Sequence, residues 1–151
     1  VAGVPVGLEN LALALDADEP WQQGPLLRDV LDAIDGYFVL DLHNLWCQIA
    51  NYDLDAAKLL ATYPLDRVRC MHVAGGRWWD VPGGAGLRFR RDTHDGALPS
   101  EVLDLLTLAL PRCPALEDVV VERIGDTVVE LTDAERLRDD FMAVRDRVTH
   151  G

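Results

Sequence analysis

The sequence contains no run of about 18 apolar residues, so none of its segments reads as a membrane-spanning helix. Basic residues are scarce: 14 Lys and Arg stand against 26 Asp and Glu, a net charge of −12. A surface of that sign repels phosphate backbones, which argues against nucleic acid as a partner. There are only three cysteines, Cys47, Cys70 and Cys113, odd in number and scattered. That argues against a disulfide framework and fits a reducing, cytoplasmic setting. No cysteine pair has zinc-finger spacing, so a structural thiolate site is excluded too. The start, Val1-Ala2-Gly3-Val4, lacks the basic-then-apolar layout of a signal peptide. It also lacks an initiator Met, so the chain reads as trimmed or partial. Gly76, Gly83, Gly84 and Gly86 do not sit between a strand and a helix, so no nucleotide-binding loop is expected.

What is present is a regular alternation of strand-like and helix-like segments. At 151 residues and 49% hydrophobic, the chain can build one core, and residues 1–151 are expected to form a single domain. Val4–Leu8 reads as a first strand, and Gln23–Ile34 as a helix with Leu26, Leu27, Val30, Leu31 and Ile34 on one side, closed by Gly36. Tyr37–Leu40 is the second strand, and Leu54–Tyr63 the next helix, capped by Asp53 or Asp55 and stopped by Pro64. Val68–Val73 is the third strand, and a polar, Gly-rich loop runs from Gly75 to Gly96. Pro99-Ser100-Glu101 opens a helix to Leu110, and Asp118–Glu122 is the fourth strand. Thr132-Asp133-Ala134-Glu135 reads as a capping box for a last helix whose apolar face is Leu137, Phe141, Val144 and Val148. Its terminal His150 is expected in solvent.

No hairpin signal separates these strands, and repeated strand–helix order implies a parallel sheet with right-handed crossovers. Each strand-like run ends in a metal-type ligand. Glu9 follows Val6-Gly7-Leu8, Asp41 follows Phe38-Val39-Leu40, His72 lies in Cys70-Met71-His72-Val73, and Glu122 follows Val119-Val120-Val121. The pair Asp92 and His94 sits in the polar loop. The ligands recur at 32 and 31 residues and then at 50, the last interval stretched by that loop. Functional groups at strand C-terminal ends favour a TIM-type barrel, whose sites lie on that face. A closed (β/α)8 barrel takes about 250 residues, whereas this chain supplies four βα units. The expected fold is therefore α/β, half of a TIM-type barrel, completed by a further half or by a second copy in a homodimer. Bare edges and a bare apolar face otherwise remain.

A lone strand-end carboxylate is commonly a helix N-cap, and a lone strand histidine is commonly a hydrogen-bonded core residue. Four consecutive strand ends with ligands are less readily accidental. Glu9, Asp41, Asp92 and Glu122 gathered at one rim would repel at about 1–4 kcal/mol per pair for effective dielectrics of 20–80. Two or three cations would remove that repulsion, so a multinuclear cluster is expected. Imidazole and carboxylate together suit iron, manganese or catalytic zinc. Asn44 can ligate or orient a ligand, and His43 is either a hydrogen-bonded neighbour of the cluster or structural. Trp78 and Trp79 could line a substrate groove. Cys70 points the same way as His72 and is expected to pack rather than ligate.

The motifs Gly7-Leu8-Glu9-Asn10, Leu40-Asp41-Leu42-His43-Asn44, His72-Val73-Ala74-Gly75, Asp92-Thr93-His94-Asp95 and Val121-Glu122-Arg123 resemble the DUF692 family, the multinuclear non-haem iron-dependent oxidative enzymes. The resemblance covers the C-terminal half of that family's xylose-isomerase-like TIM barrel. It implies two or three iron ions with dioxygen as co-substrate, and Glu9, Asp41, His72, Asp92, His94 and Glu122 as ligands, with Asn44 at a further ligating position. Asn10, His43, Arg123 and Trp78 would then support the ligands or meet substrate, with no side-chain catalyst beyond the metal ligands. It further implies oxidative modification of residues, often cysteine, in a ribosomally made precursor peptide, and a small partner protein that recognises that peptide. The family's further histidines lie on earlier strands, before Glu9, and Ile124 stands where relatives often carry an acid. On the residues alone, two other readings stay open: a sugar isomerase or endonuclease-like metalloenzyme using manganese or zinc, and a catalytically inert half-barrel serving as a binding or assembly subunit.

Overall fold

Alternation within the strands decides which face each side chain meets. A computed structural model describes residues 3–150 as β1 (Gly7–Glu9), α1 (Glu19–Ile34), β2 (Tyr37–Asp41), α2 (Leu42–Tyr52), α3 (Ala56–Leu60), β3 (Val68–Ala74), β4 (Arg77–Asp80), β5 (Arg88–Arg91), α4 (Ser100–Ala109), β6 (Asp118–Glu122) and α5 (Leu131–His150). Strands β1, β2, β3 and β6 form one all-parallel sheet in chain order. With its helices, this sheet is a partial TIM-type barrel.

Phe38, Leu40, Met71 and Val73 point to the helix side of the sheet and are fully buried with Leu45, Val102 and Leu106. Each such side chain contributes roughly 1.5–3 kcal/mol by leaving water. Phe38 also stacks on Tyr63, with ring centroids 5.6 Å apart. The intervening residues Val39, Cys70, His72 and Val120 pair across the other face. No helix of the described residues covers that face. Val120 is exposed and Cys70, expected to be packed, is only half-buried. The concave side of the barrel fragment is therefore open.

Several boundaries differ from the sequence reading. The first strand is shorter, three residues, because only Gly7–Glu9 pair with β2. Helix α1 begins at Glu19, since Asp16 Oδ1 accepts from the Asp18 and Glu19 amides and Pro20 occupies a first-turn position. Asp35, not Gly36, takes the left-handed cap conformation, at φ 49°. Gly36 is needed for another reason: a Cβ there would sit 2.8 Å from the Val6 carbonyl oxygen. Helix α2 is unforeseen and follows β2 without a loop, and the helix expected at 54–63 shrinks to α3, capped by Asp55. The loop 75–96 is not loop alone. It carries the antiparallel hairpin β4–β5, which the absence of a hairpin signal had argued against. Asn51 of α2 holds this hairpin, donating to the Arg90 carbonyl at 3.0 Å and accepting from the Arg90 amide at 2.6 Å. At α5, Asp133 rather than Thr132 supplies the capping oxygen, accepting from the Glu130 amide at 3.1 Å. Of the expected apolar face of α5 only Val144 is buried, while Phe141 and Val148 face solvent, as does His150.

Candidate metal centre

Parallel pairing brings the strand ends level. Asp41 pairs with His72 and Ala74 with Glu122, while Glu9 ends the neighbouring β1. Two groups of ligand atoms result, each lying within 4.8 Å: Glu9, Asp41 and His72, and Asp41, His94 and Glu122. Asp41 belongs to both. His94 reaches the cluster from the segment after β5, in a left-handed conformation with φ 51°. That conformation is uncommon for a residue other than glycine and is held here by the surrounding contacts.

Asp41 has two jobs. Its Oδ1 accepts from the Asn44 amide at 2.7 Å and caps α2, so the bland reading of a strand-end acid is half correct. Its Oδ2 is buried with no hydrogen-bond partner among the described residues. Burial pushes the carboxyl up to about 8; the Asn44 amide opposes this and the charges of Asp92 and Glu9 add to it. Two more atoms beside it lack partners, Asn44 Oδ1 and His72 Nδ1. His72 Nδ1 lies 3.5 Å from Glu9 and 3.3 Å from Glu122. Asn10 fixes the Asp41 backbone from both sides, donating to its carbonyl at 2.9 Å and accepting from its amide at 2.8 Å. Asn44 in turn donates to the Asn10 carbonyl.

Asp92 stands behind this cluster. Its carboxylate meets His43 Nδ1 and His94 Nε2, each at 2.8 Å. Burial, the largest single influence, works to raise it, but the hydrogen bonds from His43 and His94 together with the electrostatic attraction of those two rings hold it below the usual carboxylate range. The tautomers follow by elimination. Arg90 can only donate, so His43 Nε2, 3.2–3.3 Å from its guanidinium, accepts, and His43 Nδ1 carries the proton given to Asp92. His94 Nε2 likewise donates to Asp92, which leaves the Nδ1 lone pair facing Glu122 Oε2 at 3.4 Å. Two acceptors at that separation need a proton or a cation between them. The orphaned Asp41 Oδ2, Asn44 Oδ1 and His72 Nδ1 make the same demand, so the donor set fits metal ions with mixed nitrogen and oxygen coordination.

The other expected site residues are dispersed. Arg123 turns away, donating from Nε to Thr127 Oγ1 at 2.9 Å and from Nη1 to the Gly96 carbonyl. Trp78 lies under Arg88, 4.3 Å from the ring centroid, outside the lining of the cleft that leads to the cluster. Trp79 does line it. The cleft, about 990 Å³, runs between the β1–α1 segment (Leu11–Leu15) and the β4–β5 hairpin (Trp79, Phe89, Arg90 and Arg91), with Glu9, His94 and Glu122 in its wall. Sequence reasoning missed Leu11–Leu15, Tyr52 and the hairpin arginines as cleft residues. The one available signal was the alternation Leu11, Leu13, Leu15 in a segment with no strand partner.

A family model described as "RiPP precursor modification enzyme MbnB/TglH/ChrH" matches residues 1–146. The chain is 29% identical over 140 residues to a UPF0276 protein of Shewanella amazonensis, covering 89% of this chain and 47% of that one. It is 28% identical over 146 residues to one from Rhizorhabdus wittichii (97% and 48%) and 27% identical over 123 residues to one from Acinetobacter baylyi (82% and 40%). The chain thus spans about half the length of the curated relatives it matches. No helix among the described residues is long and apolar enough to cross a membrane.

Proposed function

This chain belongs to the MbnB/TglH/ChrH family of RiPP precursor modification enzymes, and on that premise we propose that it carries the metal-holding part of a multinuclear non-haem iron oxidase. Its substrate is a residue, often cysteine, of a ribosomally made precursor peptide. The observation that carries the reading is Asp41 Oδ2, buried without a partner where two ligand groups meet. A buried carboxylate with no counter-charge is expensive, and cations on both sides of it remove the cost.

Glu9, Asp41 and His72 would hold one ion, and Asp41, His94 and Glu122 a second. Asn44 Oδ1 lies free to ligate beside Asp41. Asp92 is better suited to orient His94 than to ligate, because both of its oxygens are already engaged. When bound, iron would supply dioxygen activation and one-electron oxidation. The chain's own residues do the rest. His72 and His94 present nitrogen lone pairs, Asp92 fixes the ring of His94, Asn10 holds the Asp41 main chain, and the Asn44 amide holds the Asp41 carboxylate. The cleft admits an extended peptide segment. Further partners in this reading are a small peptide-recognition protein and whatever closes the open sheet face, either further barrel units or a second copy in a homodimer.

The same nitrogen and oxygen donors suit manganese or zinc in an isomerase or endonuclease-like enzyme, and dioxygen consumption separates the two. Anaerobic loading with ferrous iron followed by elemental analysis tests the ligand assignment. His72→Ala and His94→Ala are each expected to lose about one ion, and Asp41→Ala both. Iron content unchanged in all three variants would overturn the assignment.

A further inference from the structure

The β4–β5 hairpin is electrostatically unlike the rest of the chain. Residues 77–91 hold four arginines and one aspartate in a protein of net charge −12. Elsewhere arginines are mostly paired, among them Arg28 with Asp66, Arg67 with Asp32 and Arg69 with Glu117, and within the hairpin Arg77 pairs with Asp95. Among the described residues, no ion pair engages Arg88, Arg90 or Arg91, although acids outnumber bases almost two to one. Arg90 is half-buried, and its guanidinium spends two donors on His43 Nε2, leaving others free. Arg91 lies 5.9 Å from the Trp79 ring centroid. Both arginines line the cleft, whereas Arg88 does not.

The opposite wall is apolar. Leu11, Leu13 and Leu15 are 63%, 73% and 81% exposed, while the intervening Ala14 is buried. This alternation is pinned rather than loose. Gln48 Nε2 donates to the Leu11 carbonyl at 2.6 Å, Tyr52 Oη donates to the Ala14 carbonyl, and the Leu15 amide donates to Glu19 at 2.7 Å. Three leucines held outward along one wall form a patch of the kind that marks a binding surface. A cleft with unpaired guanidinium groups on one side and a leucine row on the other complements an acidic, apolar segment.

We infer that the hairpin is the substrate-recognition element of the cleft: Arg90 and Arg91 hold a carboxylate of a bound peptide while Leu11, Leu13 and Leu15 take its apolar side chains. This rests on the reading of the cleft as a peptide site and adds the substrate's chemistry. The cleft also carries Glu9, Asp92 and Glu122, so in the metal-free chain a peptide carboxylate is repelled by these acids and attracted to the hairpin.

The test is fluorescence anisotropy with the full chain in chelator, so that the result is independent of metal loading and of turnover. Three fluorescein-labelled heptapeptides serve as probes: alternating Leu and Glu with an amidated C-terminus, alternating Leu and Gln with a free C-terminus, and the Leu/Gln peptide amidated. At least one of the first two should bind about tenfold more tightly than the third, equivalent to ~1.4 kcal/mol. Which one does so identifies the carboxylate as side-chain or terminal. Arg91→Gln should remove that preference, Arg91→Glu should reverse it, and Arg88→Gln should leave it intact. Equal binding of all three peptides, or a preference that survives both Arg91 variants with unchanged circular dichroism, overturns the inference. So does stronger binding of a single-stranded heptanucleotide, which would assign the arginines to phosphate. Failure of iron loading with the peptide preference intact would count against the oxidase reading alone.

Discussion

Asp41→Asn separates the two jobs that one carboxylate performs. Oδ1 caps α2 through the Asn44 amide at 2.7 Å, and an asparagine oxygen can do the same. Oδ2 is the buried, unpartnered atom, and asparagine replaces its charge with a neutral amide. In the metal-free protein, burial raises Asp41 from its ordinary 3.8 to about 8. The folded-state value lies above the unfolded one, so as pH climbs from about 4 the unfolded chain loses its proton first. Metal-free stability therefore falls across the window from 4 to 8 and levels off above it. At about 1.36 kcal/mol per pKa unit the full penalty is several kcal/mol. The open concave face admits water, so about 2–3 kcal/mol between pH 5 and pH 8 is a more reasonable expectation. For a chain of this size that is roughly 4–12 °C in Tm, at about 2–4 °C per kcal/mol. The assay is thermal unfolding by circular dichroism in chelator from pH 5 to 8.5, repeated anaerobically with saturating ferrous or manganous ion at pH 7.5. Wild type should lose Tm with rising pH and regain it on adding metal. Asp41→Asn should give a flatter pH profile and little response to metal. Asp41→Ala should also respond little to metal and sit about 1–2 kcal/mol lower at every pH, because the cap is gone. Parallel pH slopes for wild type and Asp41→Asn, or an equal metal-induced rise in both, would refute the reasoning.

Other perturbations address the frame around the cluster. Gly76→Ala should destabilise the protein by about 1–3 kcal/mol and weaken metal binding, because a Cβ there would lie 2.2 Å from the Arg91 carbonyl oxygen and 2.6 Å from His43 Cε1; an unchanged Tm and metal affinity would speak against that crowding. Asn51→Ala removes both hydrogen bonds from α2 to the hairpin, and limited proteolysis should then cut within 81–87 first, at a stability cost of about 1–3 kcal/mol. Leu106→Ala, in the fully buried core, should cost about 2–5 kcal/mol in urea unfolding with metal stoichiometry preserved, since Leu106 lies on the helix side of the sheet.

The sequence by itself determined the parallel sheet and the convergence of its ligands. Strand–helix alternation at a period near 30 residues forces consecutive parallel strands, and a parallel register brings residues at equivalent strand ends to one rim, so Glu9, Asp41, His72 and Glu122 could be placed together without coordinates. Only the tertiary structure decided the rest. Helix α2 follows β2 with no intervening loop, and Asp41 is both the last strand residue and the helix N-cap, so no turn signal in the sequence marks where the helix begins. The hairpin has no short Asn-Gly or Asp-Gly turn, and its anchorage to α2 comes from afar: Asn51, 39 residues away from Arg90, hydrogen-bonds both its carbonyl and its amide, and His43 accepts from its guanidinium. That Asp92 serves His43 and His94, and that Arg90 and Arg91 face a leucine row, depend on contacts between segments with no periodic relation in sequence. Local patterning fixes where a strand ends and which face a side chain takes. Which distant donor meets which acceptor is fixed only when the chain packs.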